Sequence, residues 1–301
     1  MRLPLTDGHV MYYEEHGSPE GKPVVVLHGG PGGGIQRKVL ELFNLKKWRV
    51  IMYDQRGCGR STPFGSTKAN TTRHLVADIE RLRLRLGLET WTLFGGSWGS
   101  TLALAYASRH QERVTAMILR GVCLMEPWEQ RWLYEEGGAS RLYPEAWASF
   151  VAGAGSGSGS GPRSGIKKNL TRAYSRRLRS RNRGTRRNAA RAWWSWEAAV
   201  SHLRPQLDRT PATSVESLAI LENHYFSHNA WIKPGSLVAA ARTFQFPIYI
   251  VQGRYDLVCP AASAISVARA APNAKLVMTI AGHSTFEPET AKALRAVTDS
   301  L

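Results

Sequence analysis

The sequence is poor in cysteine and lacks any long apolar run. Its three cysteines, Cys58, Cys123 and Cys259, are odd in number and far apart, which excludes a disulfide framework, and no C-x-x-C pair offers a metal site. No segment reaches the roughly 20 apolar residues that a membrane span needs. The first residues lack the apolar region of a secretory signal, so the sequence predicts a cytoplasmic protein with no membrane partner.

Acidic residues are missing from one basic stretch. The formal net charge is +17, and twelve Lys and Arg residues lie between Ala146 and Trp196 without a single Asp or Glu. Most charge runs are solvated faces, and this one lacks the interleaved aromatic residues of single-strand binders. The sequence therefore predicts no nucleic-acid partner, although a binding protein that uses the arginine run for RNA stays open as an alternative from another functional class.

The clearest chemical signature lies between Thr92 and Thr101. An apolar run leads to Ser97, which has Gly95 and Gly99 two residues to either side, and an Ala- and Leu-rich segment follows. This G-x-S-x-G pattern predicts a strand, a tight turn and a helix, with the serine hydroxyl projecting above a sheet. The backbone N–H of Trp98, at the start of that helix, would stabilise a negatively charged oxygen.

Two later polar residues each follow a predicted strand. Asp256 comes after the apolar run 246–253, and His283 comes after the run 275–280. The chain order Ser, Asp, His is the order expected of α/β hydrolases. We therefore predict Ser97 as the nucleophile, His283 as its base and Asp256 as the group that orients the histidine. The serine disfavours a dehalogenase or epoxide hydrolase, which use an aspartate nucleophile.

A glycine-rich loop, His28 to Gly34, follows the predicted strand 22–27. It has no G-K-[ST] and no G-x-G-x-x-G followed by a helix, so nucleotide binding is disfavoured and no cofactor is expected. In an α/β hydrolase this loop supplies the second oxyanion donor, here the backbone N–H of Gly30. His224 and His228 have a spacing that can bind metal, but no third ligand accompanies them, so we expect no metal.

Strands and helices alternate at both ends of the chain, which predicts a mostly parallel sheet covered by helices on both faces. The middle is helical and rich in tryptophan, and it reads as a cap inserted after the sixth strand. The predicted domains are a first core segment, a helical cap and a second core segment, at 1–124, 125–241 and 242–301. We also expect an edge strand at 9–16, a flexible loop at 152–161 and, at best, partial helicity in the arginine run with a break at 181–184.

Several of these motifs together resemble the proline iminopeptidases, the S33 group of α/β-hydrolase serine peptidases. The resemblance covers both core segments and implies release of an N-terminal proline from peptides through an acyl-enzyme, under a cap domain. It does not indicate an oligomeric state. The motifs that carry it are His28–Gly33, Asp54–Pro63, Gly95–Leu104, Gly253–Asp256 with Cys259–Pro260, and Gly282–Ser284.

An exopeptidase must recognise a free, cationic amine, which calls for carboxylates in a largely apolar pocket. The predicted cap offers Glu197 and Glu222, both in aromatic company. Acids in these motifs have this role in the family that the chain resembles. A small-molecule esterase or amidase is the alternative enzyme, although a neutral acyl pocket has no use for two acids. The basic cap edge raises the further hypothesis of a salt-sensitive preference for peptides with acidic residues after the proline.

Overall fold

A mostly parallel sheet of eight strands forms the centre of the molecule. The computed structural model describes residues 1–155, 170–204 and 212–301. The strand order across the sheet is β1-β2-β4-β3-β5-β6-β7-β8, and only the pairs β1/β2 and β2/β4 are antiparallel. The strands are β1 (Arg2–Pro4), β2 (Val10–Gly17), β3 (Lys22–Leu27), β4 (Trp48–Asp54), β5 (Trp91–Gly96), β6 (Val114–Arg120), β7 (Ile248–Gly253) and β8 (Ala274–Thr279).

Helices follow the strands and cover both faces of the sheet. Alternate residues of one strand point to opposite faces, so Val25 of β3 joins the apolar cluster under α1, α2, α8 and α9, while Val24 joins the cluster under α10. This arrangement confirms the predicted α/β fold. The helices are α1 (Thr72–Arg85), α2 (Trp98–His110), α3 (Pro127–Tyr134), α4 (Pro144–Gly153), α5 (Leu170–Leu178), α6 (Arg183–Val200), α7 (Ala212–Phe226), α8 (Ser236–Ala241), α9 (Ala261–Ala270) and α10 (Pro288–Ser300).

In its described part, the segment between β6 and β7 contains helices and no strand, as the sequence predicts. Helices α3 to α7 share a separate apolar cluster that is dominated by aromatic rings, among them Phe150, Tyr174, Trp193 and Trp196. Helix α8 instead packs on α2 and α9, over the sheet. The bounds of the three predicted domains stay a prediction. None of the described helices has the length and apolar content to span a membrane.

Two local expectations are wrong. Strand β2 does not lie at the edge, because Arg2–Pro4 turns back through Asp7 and Gly8, both at positive φ, and pairs with it. From residue 170 onward, where the structure describes it, the arginine run is also more helical than expected, since every fourth residue of α5 is apolar and buried (Leu170, Tyr174 and Leu178).

The break expected in that run is confirmed between α5 and α6, where the Asn182 side chain accepts a hydrogen bond from Thr185 N and caps α6. Gly184 lies inside α6 rather than in the break. The loop expected at 152–161 is shorter at its start, because Ala152 and Gly153 end α4, and its residues from 156 onward lie outside the described part of the chain.

Candidate active site

Ser97 lies at the turn between β5 and α2, with φ 57° and ψ −128°. The glycines on either side make this turn possible: a Cβ on Gly99 would overlap the Leu27 carbonyl, and one on Gly95 would overlap the Gly99 carbonyl. The backbone is closed by hydrogen bonds from Ser97 N to Arg120 O (2.9 Å) and from Ser100 N to Ser97 O (2.8 Å). A strained backbone held in this way presents the serine side chain to the space above the sheet.

His283 and Asp256 meet beyond the ends of β8 and β7. His283 Nδ1 lies 2.8 Å from Asp256 Oδ2. The Asp256 carboxylate also accepts hydrogen bonds from Val258 N (3.0 Å) and Cys259 N (2.7 Å), so its position is fixed. With Nδ1–H donating to the carboxylate, Nε2 is left as the acceptor atom of a neutral imidazole. His283 N donates to Ser201 O (2.9 Å), which ties the histidine loop to the end of α6.

Arg120, the last residue of β6, occupies the side of the histidine that carries Nε2. Its Nη1 lies 3.2 Å from His283 Nε2 and donates to His283 O at 2.7 Å. Ser97 Oγ has no hydrogen bond to His283 among the described residues; its contact is Cys259 Sγ at 4.0 Å. In this structure the guanidinium therefore holds the acceptor atom that a serine would use. Sequence reasoning missed Arg120, although a charged residue at the end of a buried strand was a usable signal.

The two predicted oxyanion donors line the same cavity as Ser97. Gln55, which follows β4, links the segments that carry them: its Nε2 donates to His28 O (2.9 Å), and its Oε1 accepts from Trp98 Nε1 (2.9 Å). Gln55 N also donates to His28 Nε2 (3.0 Å), so the other ring nitrogen can donate to Gly29 O (2.9 Å), next to Gly30. Sequence reasoning expected a brace from this turn but did not identify Gln55.

Glu197 of α6 and Glu222 of α7 form a buried pair that lines the same cavity as Ser97, on its helical side. Tyr134 Oη donates to Glu197, and Trp193 Nε1 donates to Glu222 at 2.8 Å. Burial raises the pKa of Glu197 to about 7, and burial together with the charge of Glu197 holds the pKa of Glu222 well above its usual range. At neutral pH at least one of the two carboxyls therefore carries a proton, and a bound cation can take the place of that proton.

One cavity of about 480 Å³ connects these groups. Its lining includes Ser97, His283 and Arg120 on the sheet side and Glu197 and Glu222 on the helical side. Asp256 is the one predicted site residue that does not line this cavity; it is hydrogen-bonded to His283, which does. The predicted nucleophile, the predicted base and the buried carboxyl pair line one space that a small ligand or the end of a peptide can fill.

Two groups of side chains have metal-ligand chemistry but are already engaged. Atoms of His28, Asp54 and Cys58 lie within 4.8 Å of one another, yet Asp54 accepts hydrogen bonds from backbone N–H groups and both ring nitrogens of His28 have hydrogen-bond contacts. His224 Nε2 faces Asn70 O (2.9 Å), and His228 Nδ1 faces His224 O (2.7 Å). These contacts favour structural roles for both groups.

Comparison with known proteins agrees with the observed fold and identifies the family. The sequence profile of the α/β hydrolase fold matches residues 22–290. A proline iminopeptidase of Xylella fastidiosa is 44% identical over 306 residues, which cover 99% of this chain and 95% of the relative. The chain belongs to the proline iminopeptidase family. A second member, from Neisseria gonorrhoeae, is 42% identical over 302 residues and is covered to the same extent.

Solved structures show the same fold at lower identity. An esterase from Rhodococcus sp. ECU1013 has a TM-score of 0.67 and 18% identity, with 100% of this chain and 98% of the esterase covered. At 18% identity the likeness shows the fold alone. On a shared fold, the residues that line the cavity distinguish an esterase from a peptidase.

Proposed function

We propose that this chain is a serine exopeptidase that releases proline from the N-terminus of peptides. The observation that carries the proposal is the carboxyl pair Glu197 and Glu222, buried in the same cavity as Ser97 and His283. Two carboxyls in an aromatic pocket would be costly around a neutral acyl group, but they suit the charged secondary amine of an N-terminal proline. The family to which the chain belongs supports the same reaction.

The amine subsite sets which bond is cut. A cationic amine placed between Glu197 and Glu222 substitutes for the proton that the pair holds when the site is empty. The rings of Tyr134 and Phe226 line the cavity beside the carboxyl pair and offer apolar surface to the pyrrolidine ring, and Trp193 stacks against both of them. With the amine held at this part of the cavity, we expect the first carbonyl of the substrate to be the one that reaches Ser97.

The chemistry then follows from the residues around that carbonyl. Ser97 Oγ attacks the carbonyl carbon as His283 Nε2 takes the hydroxyl proton, and Asp256 stabilises the resulting imidazolium. For this transfer the Ser97 hydroxyl has to replace Arg120 at Nε2. The backbone N–H groups of Gly30 and Trp98 stabilise the oxyanion.

The remaining steps complete the exchange of one acyl group. The imidazolium gives its proton to the departing peptide amine, which leaves proline as an ester on the serine. Water, deprotonated by the same histidine, then hydrolyses the ester and releases free proline with the serine restored. No cofactor or metal enters this scheme.

A panel of four substrates tests the proposal. Release of the leaving group is measured from a proline amide, an alanine amide, an N-acetylproline amide and a simple acyl ester, with the wild-type protein and with Ser97→Ala. We expect rapid release from the free-amine proline substrate, little from its acetylated form, and loss of activity in the variant. Ester cleavage without proline release would favour the esterase alternative, and no release from any substrate would contradict a hydrolase.

A further inference from the structure

The basic stretch of the cap continues the wall of the active-site cavity. Trp194, Ala198 and Ser201 line the cavity from α6. Arg191 and Arg187 lie one and two turns further back on the same face of this helix, because residues three, four and seven apart share a face. A single stripe of α6 therefore leads from the catalytic cavity to exposed arginines.

The side chains of Arg187 and Arg191 are exposed to solvent. Neither Arg187 nor Arg191 forms an ion pair with any residue in the parts of the chain that the structure describes. The nearby acid, Glu216 of α7, is already paired with Arg186 at 3.1 Å. Like charges four residues apart on a helix destabilise it by a few tenths of a kcal/mol, so this pair of arginines does not serve the stability of α6.

A second, smaller cavity lies beside the arginines. It has a volume of about 170 Å³ and is lined by Arg187, Arg191 and Val215, together with Glu216, which is paired with Arg186. Val215, near the start of α7, also lines the catalytic cavity. The two arginines therefore lie within reach of a peptide that extends past Val215.

The two arginines continue the line of the cavity wall along α6. At a rise of 1.5 Å per residue, Arg191 and Arg187 lie about 10 and about 16 Å along α6 from Ala198, which lines the catalytic cavity. An extended peptide advances about 3.3 Å per residue, so a few residues of chain span these distances. We propose that Arg187 and Arg191 form a subsite for carboxylate side chains a few residues downstream of the N-terminal proline.

This inference rests on the proposed function and names its preferred substrates: proline-initiated peptides with acidic residues downstream. The subsite acts on binding, far from the bond that is cut, and it therefore leaves short substrates such as a proline amide unaffected. An exposed ion pair of this kind changes affinity by about two- to fivefold per carboxylate at low salt.

The test compares matched pentapeptides, Pro-Gly-Gly-Asp-Asp and Pro-Gly-Gly-Asn-Asn, both amidated at the C-terminus, by following free proline. For the wild-type protein we expect a fourfold or larger advantage of the aspartate peptide in kcat/KM at low salt. The advantage disappears near 1 M salt, where the Debye length is about 3 Å. Equal rates on the two peptides at low salt would overturn the inference while leaving the proposed function intact, whereas failure to cleave the proline amide would remove both.

Two double variants locate the subsite. Arg187→Gln with Arg191→Gln removes the preference for aspartate, and Arg187→Glu with Arg191→Glu reverses it toward a matched lysine peptide. Arg81→Gln with Arg85→Gln is the control, because these exposed arginines are likewise four residues apart on a helix, α1, and are not among the residues that line either cavity. Retention of the aspartate preference in the first variant, or its loss in the control alone, would overturn the assignment. Proline amide cleavage stays at the wild-type rate in all three.

Discussion

Changing Glu197 to Gln, with activity followed against pH, tests how the buried carboxyl pair holds the substrate amine. The pKa of Glu197 is raised to about 7 by burial. Below that pH the pair is fully protonated and cannot balance a cation, so kcat/KM for a proline amide should fall by up to tenfold per pH unit. Above about pH 8 the amine of the substrate loses its own charge. We therefore expect a narrow optimum between these two values.

The measured quantity is a ratio, so that any pH dependence of the bond-breaking chemistry itself cancels. The kcat/KM for the proline amide is divided by that for a neutral acyl ester, which needs the triad but not the amine subsite. This ratio should rise with pH up to about 7 in the wild-type protein and lose that limb in Glu197→Gln. Removing one charged partner of a buried cation costs about 3 kcal/mol, which is roughly 100-fold in kcat/KM.

The stability of the same variant gives an independent check. Because the folded-state pKa of Glu197 is raised, the unfolded chain loses this proton at lower pH, and the free energy of unfolding falls as the pH rises from about 4.5 to about 7. Glu197→Gln removes this cost, so it should raise the free energy of unfolding at pH 8 by about 1–3 kcal/mol. Glu136→Gln, at an exposed position, is the control. An unchanged pH dependence of both the ratio and the stability in Glu197→Gln would refute the reasoning.

Three further substitutions test the frame of the site. Gln55→Leu removes the hydrogen bonds that link the segments carrying the two predicted oxyanion donors. We expect kcat to fall about tenfold with little change in KM. The melting temperature should also drop, because each buried group left without its partner costs about 1–3 kcal/mol of stability. Arg120→Lys keeps the charge but replaces the planar guanidinium, whose Nη1 contacts both Nε2 and the carbonyl oxygen of His283. Steady-state kinetics should therefore show a lower kcat, and a wild-type kcat would contradict a positioning role. Gly99→Ala places a Cβ against the Leu27 carbonyl and should destabilise the fold by several kcal/mol in denaturant titration, with soluble, fully stable protein as the contrary result.

The three residues predicted as the triad share a property: each has a local signature in the sequence. Ser97 stands between two glycines, and Asp256 and His283 each follow an apolar run that ends at the reactive edge of a parallel sheet. Glu197 and Glu222 have no such pattern and were found by asking what an exopeptidase must bind. Their roles stay predictions, and the structure adds that all but Asp256 line one cavity.

Gln55 and Arg120 could not be assigned in the same way, because their roles depend on which strands are neighbours. Strand β3 lies between β4 and β5, so the residue after β4 reaches both His28 and Trp98. Strand β6 lies between β5 and β7, so its last side chain reaches His283. Chain order does not reveal this spatial order. The helicity of α5 was missed for a different reason. Its few apolar residues recur every four positions, and this spacing is overlooked when the stretch is judged by its high arginine content.

The pairing of β6 with β7, from Met117 opposite Ile248 to Arg120 opposite Val251, joins two parts of the chain that the helical segment separates. Contacts between residues so distant in sequence form late in folding, whereas α3 to α7 are built from nearer neighbours. Ser97 leaves the ribosome well before this pairing can form, and His283 follows only after it. We therefore expect the nascent chain to form the turn at Ser97 before His283 can lie beside it. Hydrolytic activity should then begin only after β7 has paired with β6.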